Sequence, residues 1–411
     1  MIQLALLAAF VVCLIWPGAV PDPLGVGDQL AWSVICFCAA APILVQAFAN
    51  RQKLRTSLDW FVGAYLLFVF VSSVTSVDRQ QTLLTVIALL GNVAIFYATT
   101  TTFGHKPRAA PVVLGILVVG IAIVEIIALE FHLELGMLAR PGVYLRPAGW
   151  SGYPELGLLA AVQFALLFAL VQDSRSWWVR VATLVLLGVN LVELALLYSR
   201  LAWIAVVGVG GVAIALSIRA RRVWRLISVG LLMLAIGTVL ISQNATLRTL
   251  AGNLVGVEPQ TAAATPGQRF TIWERTARMI RDHPWLGVGP GNFALVYEPH
   301  YNPHLNPDGR RGVHAHNLWL HQTAELGLPG GAAYLIFWIA VLVVGWKRAP
   351  SSLVQQAAFY VVVAVALRNL GDNMFYSLVD GSARLNTLTW IFFALCASPS
   401  AATGHPQRRN A

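Results

Sequence analysis

Long apolar stretches, separated by short polar segments, run along most of the chain. Segments such as 111–129, 156–171 and 226–241 contain almost no charged residues. They approach the length of about 20 residues that a membrane-spanning helix needs. Such uniform apolar runs are typical of helices that contact lipid. The pattern therefore predicts an all-α, polytopic integral membrane protein.

We predict one transmembrane helix in each of about 12 such segments. They are 2–16, 29–48, 58–76, 82–101, 110–129, 155–172, 178–197, 201–218, 224–242, 318–346, 352–370 and 385–398. The chain then divides into four parts. Residues 1–241 carry transmembrane helices 1–9, 242–317 form one large loop containing short helices, 318–398 carry helices 10–12, and 399–411 form a tail.

Composition and charge support a membrane location and orient the chain. Hydrophobic residues make up 57% of the sequence and charged residues 11%, a surplus that only a bilayer can cover. Basic residues cluster in alternate loops: Arg51, Lys53, Arg55, Lys106, Arg108, Arg175, Arg180, Arg219, Arg221, Arg222, Arg225, Lys347, Arg348, Arg408 and Arg409. Because cytoplasmic loops are enriched in bases, we expect both termini in the cytoplasm and the large loop on the opposite, outer side of the membrane.

The predicted outer side contains arginine but no lysine. All three lysines fall in predicted cytoplasmic loops, whereas the outer side or its membrane edge carries Arg79, Arg140, Arg146, Arg200, Arg248, Arg269, Arg275, Arg278, Arg281, Arg310, Arg311, Arg368 and Arg384. The guanidinium group is a planar fork that binds phosphate through two hydrogen bonds. As a set these residues favour a polyanionic substrate, and ordinary surface ion pairs remain the alternative for any single one.

The large loop contains one clear helix signal. Thr265-Pro266-Gly267-Gln268 has the arrangement of a capping box, which predicts a helix over Gln268–Asp282 that ends at His283-Pro284. Arg269 and Trp273 share one face of this helix. Arg275, Arg278 and Arg281 follow another face, and a helix lying on the membrane surface would have a similar stripe.

Neither a metal ion nor another cofactor is predicted. The five histidines of this region lack carboxylate or cysteine partners at the spacings of a typical metal site. They are His300, His304, His314, His316 and His321. Zinc bound by His314 and His316 on an extended segment remains an alternative. The sequence contains no phosphate-binding loop of the Walker type, so ATP is not expected as an energy source.

Six short motifs, in this order, resemble those of the O-antigen ligase and polymerase superfamily of the Wzy-C type. They are Arg146-x-x-Gly149, Ser199-Arg200, Arg269-x-x-x-Trp273, Pro284-x-x-Gly287-x-Gly289-x-Gly291-Asn292, His314-x-His316-Asn317 and Glu325-x-Gly327-x-x-Gly330. The resemblance covers roughly residues 140–395 and is most specific over 265–330. It implies a fold similar to that of the GT-C glycosyltransferases.

The resemblance also implies a reaction at the periplasmic face of the inner membrane. A glycan on undecaprenyl pyrophosphate, the donor, would pass to a sugar hydroxyl of lipid A core, the acceptor, with inversion and without a metal ion. His316 would be the general base, with His314 as its rival, because imidazole titrates near neutral pH. Arg200, Arg269 and Arg146 would bind the pyrophosphate. Asn317, Glu325 and Trp273 would support the site.

Other functions stay open at this point. An O-antigen polymerase would use the same donor with a lipid-linked glycan as acceptor, and a protein O-oligosaccharyltransferase is a second relative. A lipid-linked glycan permease or flippase would also have many helices, but it would be expected to carry more acids inside them than Glu125 and Glu193. Besides the two substrates, membrane lipids are the expected partners, and no nucleic acid is.

Overall fold

The chain is described by a computed structural model. It covers residue 10 and residues 28–51, 54–134, 153–173, 176–197, 199–219, 266–302, 314–373 and 382–398. Within these ranges the regular structure is entirely helical, which confirms the all-α prediction. The α-helices are α1 Asp28–Ala49, α2 Asp59–Ser72, α3 Arg79–His105, α4 Ala110–Glu134, α5 Tyr153–Asp173, α6 Trp177–Leu196, α7 Arg200–Arg219, α8 Pro266–Asp282, α9 Phe293–Tyr301, α10 Leu318–Arg348, α11 Leu353–Arg368 and α12 Ser382–Ala397.

Seven of the described helices are long and apolar enough to cross a membrane. They are α1, α3, α4, α5, α6, α7 and α10, while α2, α11 and α12 are apolar but shorter. The protein is therefore a multi-pass membrane protein. Span 224–242 lies outside the described residues, and only residue 10 of span 2–16 is described. The count of twelve and the division of the chain into four parts therefore stay predictions.

Helix α11 lies at the centre of the bundle. Every residue of Ala357–Val365 is buried, and the helix packs against α5, α7, α10 and α12. A helix that is apolar on all sides is expected to be enclosed in this way. Its last residue is Arg368, so this buried helix delivers a charged side chain to one end of the bundle.

Helix α10 is interrupted at Gly327, whose φ is +74°. Pro329, which has no N–H group, follows two residues later. The backbone groups around the break pair with the segment after α8: the N–H groups of Val288 and Gly289 donate to the carbonyls of Ala324 and Glu325, and Leu328 N–H donates to Pro284 O. Segment 284–289 thereby becomes a fixed part of the bundle.

Glycine is required where these two segments touch. A Cβ atom at Gly287 would lie 2.3 Å from the backbone of Glu325, and one at Gly327 would lie 2.4 Å from the backbone of Trp285. Gly287 also has a φ of +65°, a conformation that other residues adopt at a cost. The glycines of two of the motifs therefore serve backbone packing.

Asn292 joins segment 284–292 to the connection between α2 and α3. Its Nδ2 donates to Ser76 Oγ at 3.0 Å and to Thr82 Oγ1 at 2.7 Å, and its Oδ1 accepts from Asp78 N–H at 2.8 Å. Because the asparagine is fully buried, each of these bonds replaces one to water. Helices α8 and α9 are consequently held against the ends of the membrane helices.

Candidate functional site

The His-x-His-Asn segment is held at the start of α10 by Asn317. The Oδ1 of Asn317 accepts a hydrogen bond from Leu320 N–H at 3.0 Å and so caps the helix, as its position in the sequence predicts. Its Nδ2 donates to Leu370 O at 2.8 Å, and Leu318 N–H donates to Asn369 O at 3.1 Å. These bonds bring the histidines to the residues that follow α11.

Asp372 lies between the two histidines of this segment. Its Oδ1 accepts from His314 Nε2 at 3.1 Å and from His316 Nδ1 at 3.2 Å. Its Oδ2 accepts from Arg368 Nη1 at 3.2 Å. The carboxylate and the guanidinium are both buried, and such a pair persists where each charge is matched and hydrogen-bonded.

The surroundings of Asp372 keep it ionised. Burial alone would raise the pKa of Asp372, but the hydrogen bonds from His314 and His316 and the charge of Arg368 outweigh it and hold the pKa well below its usual range. An ionised carboxylate can only accept hydrogen bonds. The Nδ1 atom of His316 therefore carries a proton.

His316 consequently presents its other ring nitrogen, Nε2, as a base. Among the described residues none hydrogen-bonds to this atom. Burial lowers the pKa of His316. The neighbouring His314 and Arg269 lower this pKa further, and the contact with Asp372 offsets part of the effect. The ring is therefore neutral at pH 7, and its Nε2 lone pair is free to accept a proton.

The backbone at His316 has an uncommon conformation. Its φ is +46°, in the left-handed region that residues with a side chain rarely adopt. This turn places the rings of His314 and His316 on the same side, with centroids 4.0 Å apart. Strained backbone of this kind is concentrated at functional sites, so the turn supports a functional role for the pair.

The first half of α8 packs on the histidine segment. Trp273 Nε1 donates to Ala315 O at 2.9 Å, which fixes the residue between the two histidines. Arg269 is one helical turn earlier on the same face, close enough for its charge to lower the pKa of His316. The predicted pairing of Arg269 with Trp273 on one helix face is confirmed, and it brings a guanidinium to the candidate base.

The start of α7 lies beside the same charged cluster. Ser199 caps this helix, because its Oγ accepts from Ala202 N–H at 3.3 Å, and Arg200 is the first helical residue. A Cβ atom at Gly157 would lie 3.2 Å from Ser199 Oγ and 3.7 Å from Arg368 Nη2. The amino end of a helix attracts anions, so Arg200 stands at a suitable place for a phosphate group, although its side chain lies outside the described residues.

Glu325 and His321 form a second buried pair. His321 Nε2 lies 3.3 Å from Glu325 Oε1, and that oxygen also accepts from Phe293 N–H at 3.3 Å. His321 is buried, with only 3% of its surface exposed. Since the described partners of the Glu325 carboxylate lie in α9 and α10, its proposed supporting role acts through the packing of these helices.

Among the described residues, one group has side chains of the types that bind a metal cation. The ligand atoms of His314, His316 and Asp372 lie within 4.8 Å of one another. The expectation that these histidines lack a carboxylate partner is therefore wrong, because Asp372 supplies one. The charge of Arg368 on the same carboxylate, with Arg269 nearby, opposes a second positive charge at this point.

Two residues of this cluster, Asp372 and Arg368, are absent from the sequence-based site. Arg368 belongs to the set of outer arginines, and no motif distinguishes it there. Asp372 directly follows the end of an apolar span, which is the one local signal for it. Arg146, by contrast, was predicted for the site and lies outside the described residues.

One comparison with known proteins matches part of the chain. Residues 182–335 match the family model described as O-antigen ligase, a range that contains Arg200, Arg269 and His316 but ends before Asp372. A search of curated proteins gave no match to the chain. Over residues 182–335 the chain therefore resembles the O-antigen ligase superfamily of the Wzy-C type.

Proposed function

We propose that the protein is an O-antigen ligase. It transfers a glycan from undecaprenyl pyrophosphate to a sugar hydroxyl of lipid A core at the periplasmic face of the bacterial inner membrane. The observation that carries the proposal is the contact of His316 Nδ1 with the buried, ionised Asp372 at 3.2 Å. This arrangement fixes the tautomer of His316 and directs its basic nitrogen away from the carboxylate.

The reaction is a direct displacement. The acceptor hydroxyl oxygen bonds to the anomeric carbon of the donor glycan while the bond from that carbon to the pyrophosphate oxygen breaks. The hydroxyl proton passes to Nε2 of His316, and the electron pair of the broken bond leaves with undecaprenyl pyrophosphate. Attack opposite the leaving group inverts the anomeric centre. His316 is favoured over His314 because its free nitrogen is the ring atom farther from the backbone.

The arginines stabilise the leaving group. Negative charge grows on the pyrophosphate as the glycosidic bond breaks, and groups placed in advance to meet that charge lower the barrier. Arg269 comes from α8 and Arg200 from the start of α7, so they approach the cluster from two helices, and Arg146 is a third candidate. Two guanidinium groups also take the role that a divalent cation has in many phosphate-handling enzymes.

A transfer assay with purified protein tests the proposal. The protein is mixed with an undecaprenyl-pyrophosphate-linked glycan and lipid A core, with and without EDTA, and the product is followed on a gel. We expect the glycan on lipid A core in both mixtures. Loss of transfer in EDTA that one added metal ion restores would contradict the metal-independent mechanism.

The same assay separates the alternatives. Elongation of the glycan on its lipid carrier identifies an O-antigen polymerase, and transfer to a protein identifies an O-oligosaccharyltransferase. Movement of the lipid-linked glycan across the bilayer without a new bond identifies a permease or flippase. Any of these in place of transfer to lipid A core would overturn the ligase proposal.

A further inference from the structure

Helix α10 is longer than a membrane span requires. Its 31 residues, Leu318–Arg348, extend about 46 Å at the usual helical rise, and still about 35 Å at a tilt of about 40°. The hydrocarbon core of a bilayer is about 30 Å thick, so part of the helix lies outside it. The break at Gly327 divides α10 into a short first part, residues 318–326, and a long second part, residues 328–348.

The second part alone matches the thickness of the hydrocarbon. It ends in Lys347 and Arg348, basic residues of the kind expected at a membrane surface. The 19 helical steps from Leu328 to Lys347 rise about 28 Å, close to the thickness of about 30 Å of the core. If one edge of the hydrocarbon lies at Lys347, the other edge therefore lies at the break.

The exposure of α10 changes at the same point. In the second part, apolar side chains are exposed along one face of the helix, and they are Leu328, Ala332, Leu335, Ile336, Ile339 and Val343. Such a stripe is expected where a spanning helix contacts lipid. In the first part no residue is exposed, and its buried face carries His321 and Glu325. Only the second part therefore has a lipid-facing surface.

Trp285 continues this lipid-facing surface beyond the helix. The side chain is 73% exposed, and that of Leu328, the first residue of the stripe, is 53% exposed. The two residues are held together because Leu328 N–H donates to Pro284 O at 2.7 Å. An exposed tryptophan at the end of an apolar stripe is typical of the interface between lipid and water.

The connection between α2 and α3 adds two valines to the same surface. Ser72 Oγ donates to Leu286 O at 2.5 Å, and close by in the sequence Val74 is 77% and Val77 66% exposed. We call Val74, Val77, Trp285 and Leu328 the boundary patch. Exposed polar residues begin directly beside the patch in sequence, and they are Arg79, Gln80, Asp282 and His283. An apolar patch with a polar border indicates a contact surface.

We propose that the hydrocarbon of the bilayer ends at the boundary patch and that lipid acyl chains cover it. Trp285 then lies in the interface, and only the second part of α10 crosses the hydrocarbon. Lipid is favoured over a second protein because the patch continues the lipid-facing stripe of α10 and lies about 28 Å from Lys347 along that helix. The inference does not depend on the proposed ligase reaction.

This boundary sets the height of the candidate site above the membrane. The ten helical steps from Gly327 back to Asn317 rise about 15 Å at most, and the head-group layer is about 5 to 8 Å thick on each side. The histidine segment then stands outside the hydrocarbon, at or just beyond the level of the head groups. Because α8 ends at Asp282, Trp285 also anchors the helix that carries Arg269.

Spin-label accessibility in phospholipid vesicles tests the boundary. The four cysteines of the chain are replaced by alanine, and labels are attached to Trp285→Cys, Ile336→Cys and Arg278→Cys in separate proteins. Oxygen enters hydrocarbon readily, whereas a polar nickel complex is excluded by the cost of desolvation. We expect the ratio of oxygen to nickel accessibility at Trp285→Cys to exceed that at Arg278→Cys at least about threefold.

The two other labels are matched controls. Ile336 belongs to the stripe about 12 Å deeper than Leu328 and should give a ratio above that of Trp285→Cys. Arg278 is exposed on α8 and pairs with Glu274, so it should report water. If the cysteine-free protein does not fold, Trp285→Phe in the natural background replaces the label: phospholipids brominated near the head group should quench less tryptophan emission in this variant than in the unmodified protein.

Four results would overturn the proposal. A ratio at Trp285→Cys equal to that of Arg278→Cys would mean that the patch lies in water. A ratio equal to or above that of Ile336→Cys would move the edge of the hydrocarbon toward His316. Broadening of the Trp285→Cys spectrum that disappears on dilution with unlabelled protein would show that a second copy covers the patch. Equal quenching of Trp285→Phe and the unmodified protein would also contradict the contact with lipid.

Discussion

Replacing Asp372 with asparagine tests the arrangement around His316 most severely. The carboxylate accepts hydrogen bonds from both histidines, and an ionised acceptor forces the proton of His316 onto Nδ1. The asparagine side chain can instead donate its N–H to Nδ1, which moves the ring proton to Nε2 and removes the base. A positioned general base contributes a factor of about 10² to 10⁴, so we expect kcat to fall by that amount.

The same substitution has a cost in stability. Arg368 and Asp372 are both buried and lie 3.2 Å apart, and asparagine would remove the negative charge that Asp372 supplies to the guanidinium. Breaking a buried ion pair from one side costs about 3 to 5 kcal/mol. We therefore expect a clear fall in the thermal unfolding temperature of Asp372→Asn. The double variant Arg368→Met, Asp372→Asn removes the buried guanidinium as well and should regain much of that stability.

The double variant makes the test decisive. It should unfold near the temperature of the unmodified protein yet remain as inactive as Asp372→Asn, because the tautomer of His316 is still uncontrolled. Transfer of lipid-linked glycan to lipid A core is measured with each purified variant, and unfolding is followed in the same detergent. Activity within about threefold of the unmodified protein in either variant, well short of the factor expected for a base, would refute the reasoning.

Three further outcomes are expected. Arg200→Lys and Arg269→Lys should each lower the transfer rate at least about tenfold while the protein still inserts and folds, because the lysine ammonium cannot make the two parallel hydrogen bonds of a guanidinium group. Near-normal turnover in both variants would mean that these arginines only anchor the protein at the membrane edge. Burial, the neighbouring histidine and Arg269 lower the pKa of His316, so kcat/KM, which reports the free enzyme, should fall only as the pH drops below the ordinary histidine value of about 6.5. A midpoint at or above that value would contradict the assignment. Gly327→Ala should lower the free energy of unfolding by at least about 1 to 2 kcal/mol, since φ is +74° there. The control Gly63→Ala should not, because the space around an added Cβ is open. Equal unfolding temperatures of the two variants would count against the packing described for segment 284–289.

The membrane helices could be predicted because the bilayer imposes their length and apolar character. Ten predicted spans coincide with helices of the described chain to within a few residues. The start of α8 and the cap at Asn317 were predictable for a similar reason, since the signals for both lie within four residues of the helix end. These features depend on local sequence alone.

The partner of the histidines could not be predicted in this way. Asp372 is 56 residues beyond His316, and only the packing of α10 against α11 brings the two together. His316 precedes α10 and Asp372 follows α11, and no rule of sequence spacing relates two such positions. The positive φ of His316 also has no signal in the sequence, because residues other than glycine adopt it in only a small fraction of cases.

The contact between the two glycine motifs could not be predicted from the sequence either. Gly287 and Gly327 belong to separate motifs, and the structure places their backbones in direct contact. Sequence order alone gives the two motifs no common purpose. Their close approach fixes segment 284–289, and with it the end of α8, on the interrupted helix α10. Part of what the family motifs specify is therefore the scaffold that brings Arg269 to His316.

The central claim is that His316 takes the proton of the acceptor hydroxyl, and one paired measurement addresses it directly. Donor binding and single-turnover transfer are measured on the same preparation of His316→Ala, a substitution that leaves the pair of Arg368 and Asp372 in place. The account predicts that this variant binds undecaprenyl-pyrophosphate-linked glycan as tightly as the unmodified protein and forms no product on lipid A core. Transfer at the normal rate, or a loss of donor binding that accounts for the missing product, would contradict the role of His316 as the base.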